Sequence, residues 1–220
     1  MRPIGALAVL FLVHAVAAPA AERYAPLDPD KMTPEQKKVA DDIVSGPRKS
    51  LSGPFNAWLR SPQLADRLQR VGDYLRFHSS VPARLNEFAI LITARQWTAQ
   101  YEWYAHYPLA IKAGLDPRIA AELGAGKRPE NMADDEAIVY DLCLALHRGQ
   151  TISDKIFDAA VAKLGEQGVV DLIAVNGYYD LVAMTLNAAN VQVPPGVRPP
   201  LAPATPDTPD AGPGRGLQNK

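Results

Sequence analysis

The sequence predicts an all-α fold, a single-domain bundle of about seven or eight helices, and three observations carry that expectation. Helix-start signals recur along the chain, at Thr33-Pro34-Glu35-Gln36, Ser61-Pro62 and Asp116-Pro117. Apolar residues return at helical spacing, as in Leu64, Leu68, Val71 and Leu75. Period-2 alternation, the mark of a half-buried strand, is almost absent.

Taken in order, the first helix begins at Thr33, where Pro34 suits the first helical position and Gln36 stands where it can complete a capping box. The second begins after Ser61, and its four spaced apolar residues make one buried face. Pro82 opens a third carrying Leu85, Phe88, Ala89 and Ile92, which breaks or kinks near Trp97-Thr98. A fourth runs from about Ala99 to Ala113 and stops at Gly114. Asp116-Pro117 starts a short helix ending near Gly124. Asp134 or Asp135 starts the next, with Ile138, Leu142 and Leu146 on one face and Gly149 beyond it. Ser153 caps a helix reaching about Leu164, and a last long one spans roughly Gln167 to Ala189.

The ends differ in kind. Arg2, the apolar run "IGALAVLFLVHAVAA" and Ala18-Pro19-Ala20 read as a secretory signal over residues 1–20, with an uncleaved anchor as the alternative. Export, most plausibly to a bacterial periplasm, is the expectation. No later segment is expected to span a bilayer, so the cleaved chain is expected to have no membrane partner. From residue 194 to 220 proline and glycine dominate, and too few large apolar residues remain to offset the chain entropy, so a disordered tail is expected. Residues 31–193 between them suit one core. The formal net charge is -1 with no block of Lys or Arg, which argues against nucleic acid as a partner. The one cysteine, Cys143, has no disulfide partner in the chain and sits in an apolar-periodic run, as a small buried hydrophobe does.

Chemistry concentrates in "ARQWTAQYEWYAHYPLAIKAGL". Glu102 and His106 are four apart, so on a helix they share a face and can share a hydrogen bond; the plain alternative is an exposed structural pair. A carboxylate that orients an imidazole fixes its tautomer. Tyr101, Trp103, Tyr104 and Tyr107 are expected to enclose the pair, and Glu87 lies on the preceding helix in the otherwise apolar "LNEFAILIT". The positive end of the helix favours an ionised Glu102 while burial opposes it, so two effects compete. Glu-x3-His is not the zinc pattern His-Glu-x-x-His, and His78 and His147 show no ligand spacing, so neither a metal nor another cofactor is expected.

The segments "RLNEFAILITAR", "YEWYAHYPLAIKAGL" and "GVVDLIAVNGYYDLVAMTLNAANV" together resemble the carboxymuconolactone decarboxylase family, over residues 31–193. The resemblance implies an alkyl hydroperoxidase D-like fold and a homo-oligomer, a trimer or a multiple of it. Peroxidase members carry Cys-x-x-Cys-x-x-x-His after a glutamate on the earlier helix. Aligned on Glu87 and His106, the two cysteine positions fall at Ala99 and Glu102, so both redox sulfurs are missing and peroxiredoxin chemistry is not expected. What remains resembles the cofactor-free branch acting on a small organic acid or lactone. In that reading His106 is a general acid, Glu102 its orienting partner and Glu87 a second proton carrier or a buried support. Arg95 is the candidate carboxylate anchor, its alternative being a salt bridge, and Tyr101 and Tyr104 supply hydroxyl donors or merely pack. The competing expectation is a family member that binds a small molecule or a partner without turnover.

Overall fold

A computed structural model describes residues 21–149 and 151–202. Among them the chain forms a short 3-10 helix, Pro29–Lys31, and eight α-helices, with no strand. These are α1 Pro34–Ser45, α2 Phe55–Trp58, α3 Pro62–Phe77, α4 Ala83–Gln96, α5 Gln100–Lys112, α6 Pro117–Gly124, α7 Asp134–His147 and α8 Asp154–Ala189. The all-α bundle read from the sequence is the fold observed.

Local signals act as their chemistry requires. Thr33 Oγ1 accepts from the Gln36 N–H at 3.2 Å while Gln36 Oε1 accepts from the Thr33 N–H at 2.9 Å, closing the capping box. Thr98 adopts φ 48° between α4 and α5, and the three residues 97–99 fold the chain into an αα-hairpin. Pro108 sits inside α5 without ending it. The carbonyl it leaves without an N–H partner belongs to Tyr104, a residue on an exposed face where water can serve it. Gly165, at φ 73° and ψ 169°, interrupts α8 where the sequence had placed a boundary between two helices.

α4 is the centre of the bundle. Every residue from Leu85 to Arg95 is buried, and α5, α6, α7 and α8 all pack on it. The α3–α4 turn is pinned to α8 by Asp171, whose carboxylate accepts from the Ser80 N–H at 2.8 Å, the Ser80 hydroxyl at 2.7 Å and the Tyr74 hydroxyl at 3.0 Å. Burial opposes its charge, but these donors outweigh it and hold the Asp171 carboxyl below its ordinary range.

Three features depart from expectation. α2 carries no periodic signal, yet it buries Phe55 completely and seats Trp58, whose indole N–H donates to Thr185 Oγ1 at 3.0 Å. α8 is long and apolar enough to cross a membrane, contrary to the expectation for segments after the leader. It packs here against α3, α4, α5 and α7, with Asp171 and Asn176 buried on hydrogen-bonding partners. Finally, the proline-rich segment is not free throughout, since Leu201 is 3% exposed. The Gln100 side chain accepts from the Leu201 N–H at 2.9 Å and donates to its carbonyl at 2.8 Å. Proline stiffness lowers the entropy lost on docking, and one large apolar side chain then suffices. The proposed leader, 1–20, and the tail from 203 to 220 lie outside the described residues.

Candidate active site

The αα-hairpin sets Glu87 of α4 opposite His106 of α5. His106 Nδ1 and Glu87 Oε2 are 2.7 Å apart, and both side chains are about nine-tenths buried. A carboxylate can only accept, so with Glu87 in that form the Nδ1–H tautomer donates to it and Nε2 remains for other work. Tyr179 of α8 stands edge-on to the imidazole, with centroids 5.0 Å apart and planes at 84°.

Glu102 is not the partner that the four-residue spacing suggested. It shares the face of His106, but Nδ1 has one proton to donate and Glu87 receives it. Glu102 is 1% exposed, and neither of its oxygens has a hydrogen-bond partner among the described residues. Burial, with a smaller contribution from the charge of Asp180, pushes its carboxyl well above the ordinary range. Of the two competing effects at the start of α5, desolvation prevails over the helix dipole and favours the protonated form of Glu102.

The enclosing rings also differ from expectation. With 3.6 residues per turn, residues 104 and 107 point away from the face of 102 and 106, and residue 103 falls at its margin. Trp103 packs beside Gly124, whose lack of a side chain admits the indole, while Tyr104 and Tyr107 are exposed. The aromatic wall comes from α8 instead, as Tyr178 and Tyr179, packed edge to face 5.3 Å apart. Burial raises the Tyr178 hydroxyl to about 12 and that of Tyr179 well above its ordinary value, so both stay protonated.

These groups border a cavity of about 240 Å³. Glu102, His106 and Tyr101 line it from α5, and Tyr178 and Tyr179 from α8. Arg76 at the end of α3 and Arg48 from the 46–54 loop complete the wall. Arg95 does not line the cavity: its guanidinium donates to Thr98 Oγ1 at 3.3 Å and to the Ala202 carbonyl at 3.2 Å, bracing the interhelix turn and the docked segment. Tyr104 is also outside the lining. Of the lining residues the sequence reading thus reached Glu102, His106 and Tyr101, with Glu87 bonded to His106, but missed Arg48, Arg76, Tyr178 and Tyr179. The "NGYYD" stretch held the one available signal, since it puts two tyrosines and an aspartate inside an apolar helix.

Behind the cavity, α4, α7 and α8 share a second polar cluster. Asp180 Oδ1 accepts from the Trp97 indole N–H at 2.6 Å and lies 3.5 Å from His147 Nδ1, while His147 Nε2 is 3.2 Å from Thr93 Oγ1. Burial lowers the His147 pKa, and Asp180 partly offsets this. Cys143 borders the cluster, 3.3 Å from Asn176 Nδ2, and burial lifts its thiol to about 12. A thiol so placed is not a nucleophile near neutral pH. Among the described residues no group of three or more His, Cys, Asp or Glu side chains comes together to hold a metal ion. The arrangement can therefore present a neutral carboxylic acid, an imidazole oriented by a carboxylate, and two cations to one small ligand.

Comparison with models of known protein families finds no match, and comparison with the curated proteins finds none.

Proposed function

We propose that this chain is an exported, cofactor-free acid/base enzyme of the carboxymuconolactone decarboxylase-like kind, acting on a small organic acid or lactone by decarboxylation or isomerisation. The observation that carries the reading is Glu102, a buried carboxyl without a partner in the wall of the cavity that His106, itself paired with Glu87, also lines. Structural carboxylates are hydrogen-bonded when buried; one left bare and neutral is suited to giving a proton. In decarboxylation the C–CO2 bond breaks, its electron pair passes to the substrate carbon, and Glu102 delivers the proton that this carbon takes up. Solvent then reprotonates Glu102. In isomerisation the His106 imidazole removes a proton from one carbon while Glu102 protonates another, Glu87 stabilises the imidazolium that forms, and after product leaves His106 releases its proton to solvent and Glu102 takes one up.

The missing sulfurs at Ala99 and Glu102, and the inert Cys143, weigh against dithiol peroxidase chemistry. The family resemblance also carries the proposal of a homo-oligomer. The test of activity is a screen of unsaturated carboxylic acids and lactones with the full exported chain, followed by His106→Ala and Glu102→Gln. Each is expected to lower turnover by about 100-fold or more, the scale of a lost general acid or base. An activity that both variants retain at the wild-type rate sinks the assignment, and ligand binding without turnover leaves the non-catalytic reading in its place.

A further inference from the structure

The acid/base reading leaves one wall of the cavity without a task. Arg48 and Arg76 both border it, and arginine keeps its proton under any condition the fold survives. Burial, and repulsion from Arg76, lower the Arg48 pKa, so the fold holds these two cations together against a penalty. Four other guanidiniums are matched to carboxylates, Arg70 to Asp66, Arg84 to Asp135 and Glu136, Arg118 to Asp116 and Arg128 to Asp141, and Arg23, Arg60, Arg67 and Arg95 donate to backbone carbonyls. Among the described residues neither Arg48 nor Arg76 has a carboxylate within ion-pair distance. Arg48 Nη2 and Arg76 Nε are buried with no acceptor, and the close neighbours of the two guanidiniums are ring faces, Phe55 at 4.8 Å and Phe77 at 5.2 Å.

Gly72 of α3 makes the arrangement possible. A Cβ there would stand 2.2 Å from the Tyr178 hydroxyl oxygen and 3.1 Å from Arg48 Nη2, so a side chain would push both away from α3. Both side chains are half-buried, and although the charge of Asp73 favours Arg48 from a distance, partly desolvated cations without an ion-paired carboxylate carry a cost that a bound anion would offset. The cavity, about 240 Å³, is smaller than the roughly 300–1,000 Å³ that drug-sized ligands occupy.

We propose that Arg48 and Arg76 form an anion clamp for a small aliphatic dicarboxylate, whose two negative charges match the two guanidiniums and whose carbon skeleton then lies toward Glu102 and His106. The clamp rests on the reading of this cavity as a ligand site and specifies the class of acid it takes. Planar guanidiniums suit carboxylates because each can donate two parallel hydrogen bonds.

Titration calorimetry on the full chain with malonate, succinate, glutarate, monomethyl succinate and inorganic phosphate tests it. At least one dicarboxylate is expected to bind, with monomethyl succinate weaker and with R48Q and R76Q each weakening the dicarboxylate about tenfold or more, the scale of one lost charge-assisted hydrogen bond. Should either variant fail to fold, phenylglyoxal labelling of the wild type replaces it: succinate must protect Arg48 and Arg76 from modification. Absence of dicarboxylate binding at millimolar concentration, binding of phosphate alone, equal binding by both variants, or labelling that the ligand does not slow each overturns the clamp. Dicarboxylate binding together with no turnover of any acid or lactone in the screen leaves the clamp standing and removes the catalytic reading, whereas turnover of an acid undiminished in both arginine variants does the reverse.

Discussion

Glu102 is where the energetics of the site are most exposed to measurement. Its folded-state carboxyl is held well above the ordinary value of 4.5 because burial disfavours the charge and Asp180 adds repulsion. A carboxyl with a raised folded-state pKa keeps its proton in the native state while the unfolded chain releases it. Its contribution to stability is therefore complete below the unfolded value and is lost as pH rises toward the folded one. Glu102→Gln has no proton to lose. Urea unfolding of wild type and variant between pH 4 and 8 is expected to show the variant gaining on the wild type as pH rises, by up to about 1.4 kcal/mol per pH unit. A stability difference that does not vary with pH contradicts a neutral Glu102. Asp171 has the opposite sign: its depressed carboxyl lends stability above the unfolded value that disappears as pH falls through the folded one.

Within elements, α8 offers two glycines with opposite demands. Gly165 holds φ 73° and ψ 169°, a region open to glycine alone, and a Cβ there would meet nothing within 4 Å. The penalty for Gly165→Ala is therefore purely one of backbone strain, about 1–3 kcal/mol. Gly177 lies in the regular part of the same helix, exposed, and a Cβ there would likewise have no neighbour within 4 Å. Alanine at Gly177 lowers the entropy of the unfolded chain and is expected to stabilise by about 0.5–1 kcal/mol. Thermal unfolding of the two variants reads the contrast directly, and a shift of the same sign in both would show that the break at Gly165 is not a real constraint. The break also serves the fold, because it separates the peripheral 154–164 segment from the stretch that carries Asp171, Asn176 and the cavity tyrosines.

For the whole molecule, the exposed apolar side chains bear on assembly. Val170 is 65% exposed, Phe157 45% and Ile173 42%, and together they border one shallow depression on α8. A row of this kind on a helix that already buries its other face exceeds what a single core requires. Light scattering at micromolar concentration is expected to give an oligomer, and Val170→Asp to shift it toward the monomer with the helical content intact. A wild-type monomer contradicts the proposal.

The sequence by itself determined the helices and most of their limits, because the determinants are local. Thr33 and Gln36 lie three residues apart, Gly114 follows the helix it ends, and Gly165 falls at the boundary placed between Leu164 and Gln167. It also singled out Glu87 and His106, which the fold brings together, since a charge in "LNEFAILIT" and a histidine on the next helix stand out against apolar surroundings. Tertiary structure alone decided who partners whom. The spacing of Glu102 and His106 made them neighbours on α5, but the packing of α4 across from them gave the imidazole to Glu87 and left Glu102 without a protein partner among the described residues. Arg48 and Arg76 were illegible for the same reason: one lies in a loop without periodicity and the other at a helix end, and nothing near either in the chain marks a common destination. Helix caps and intrahelical hydrogen bonds act over a few residues of chain, whereas desolvation, charge and the bonds between helices depend on atoms within several ångströms that come from segments far apart in the sequence.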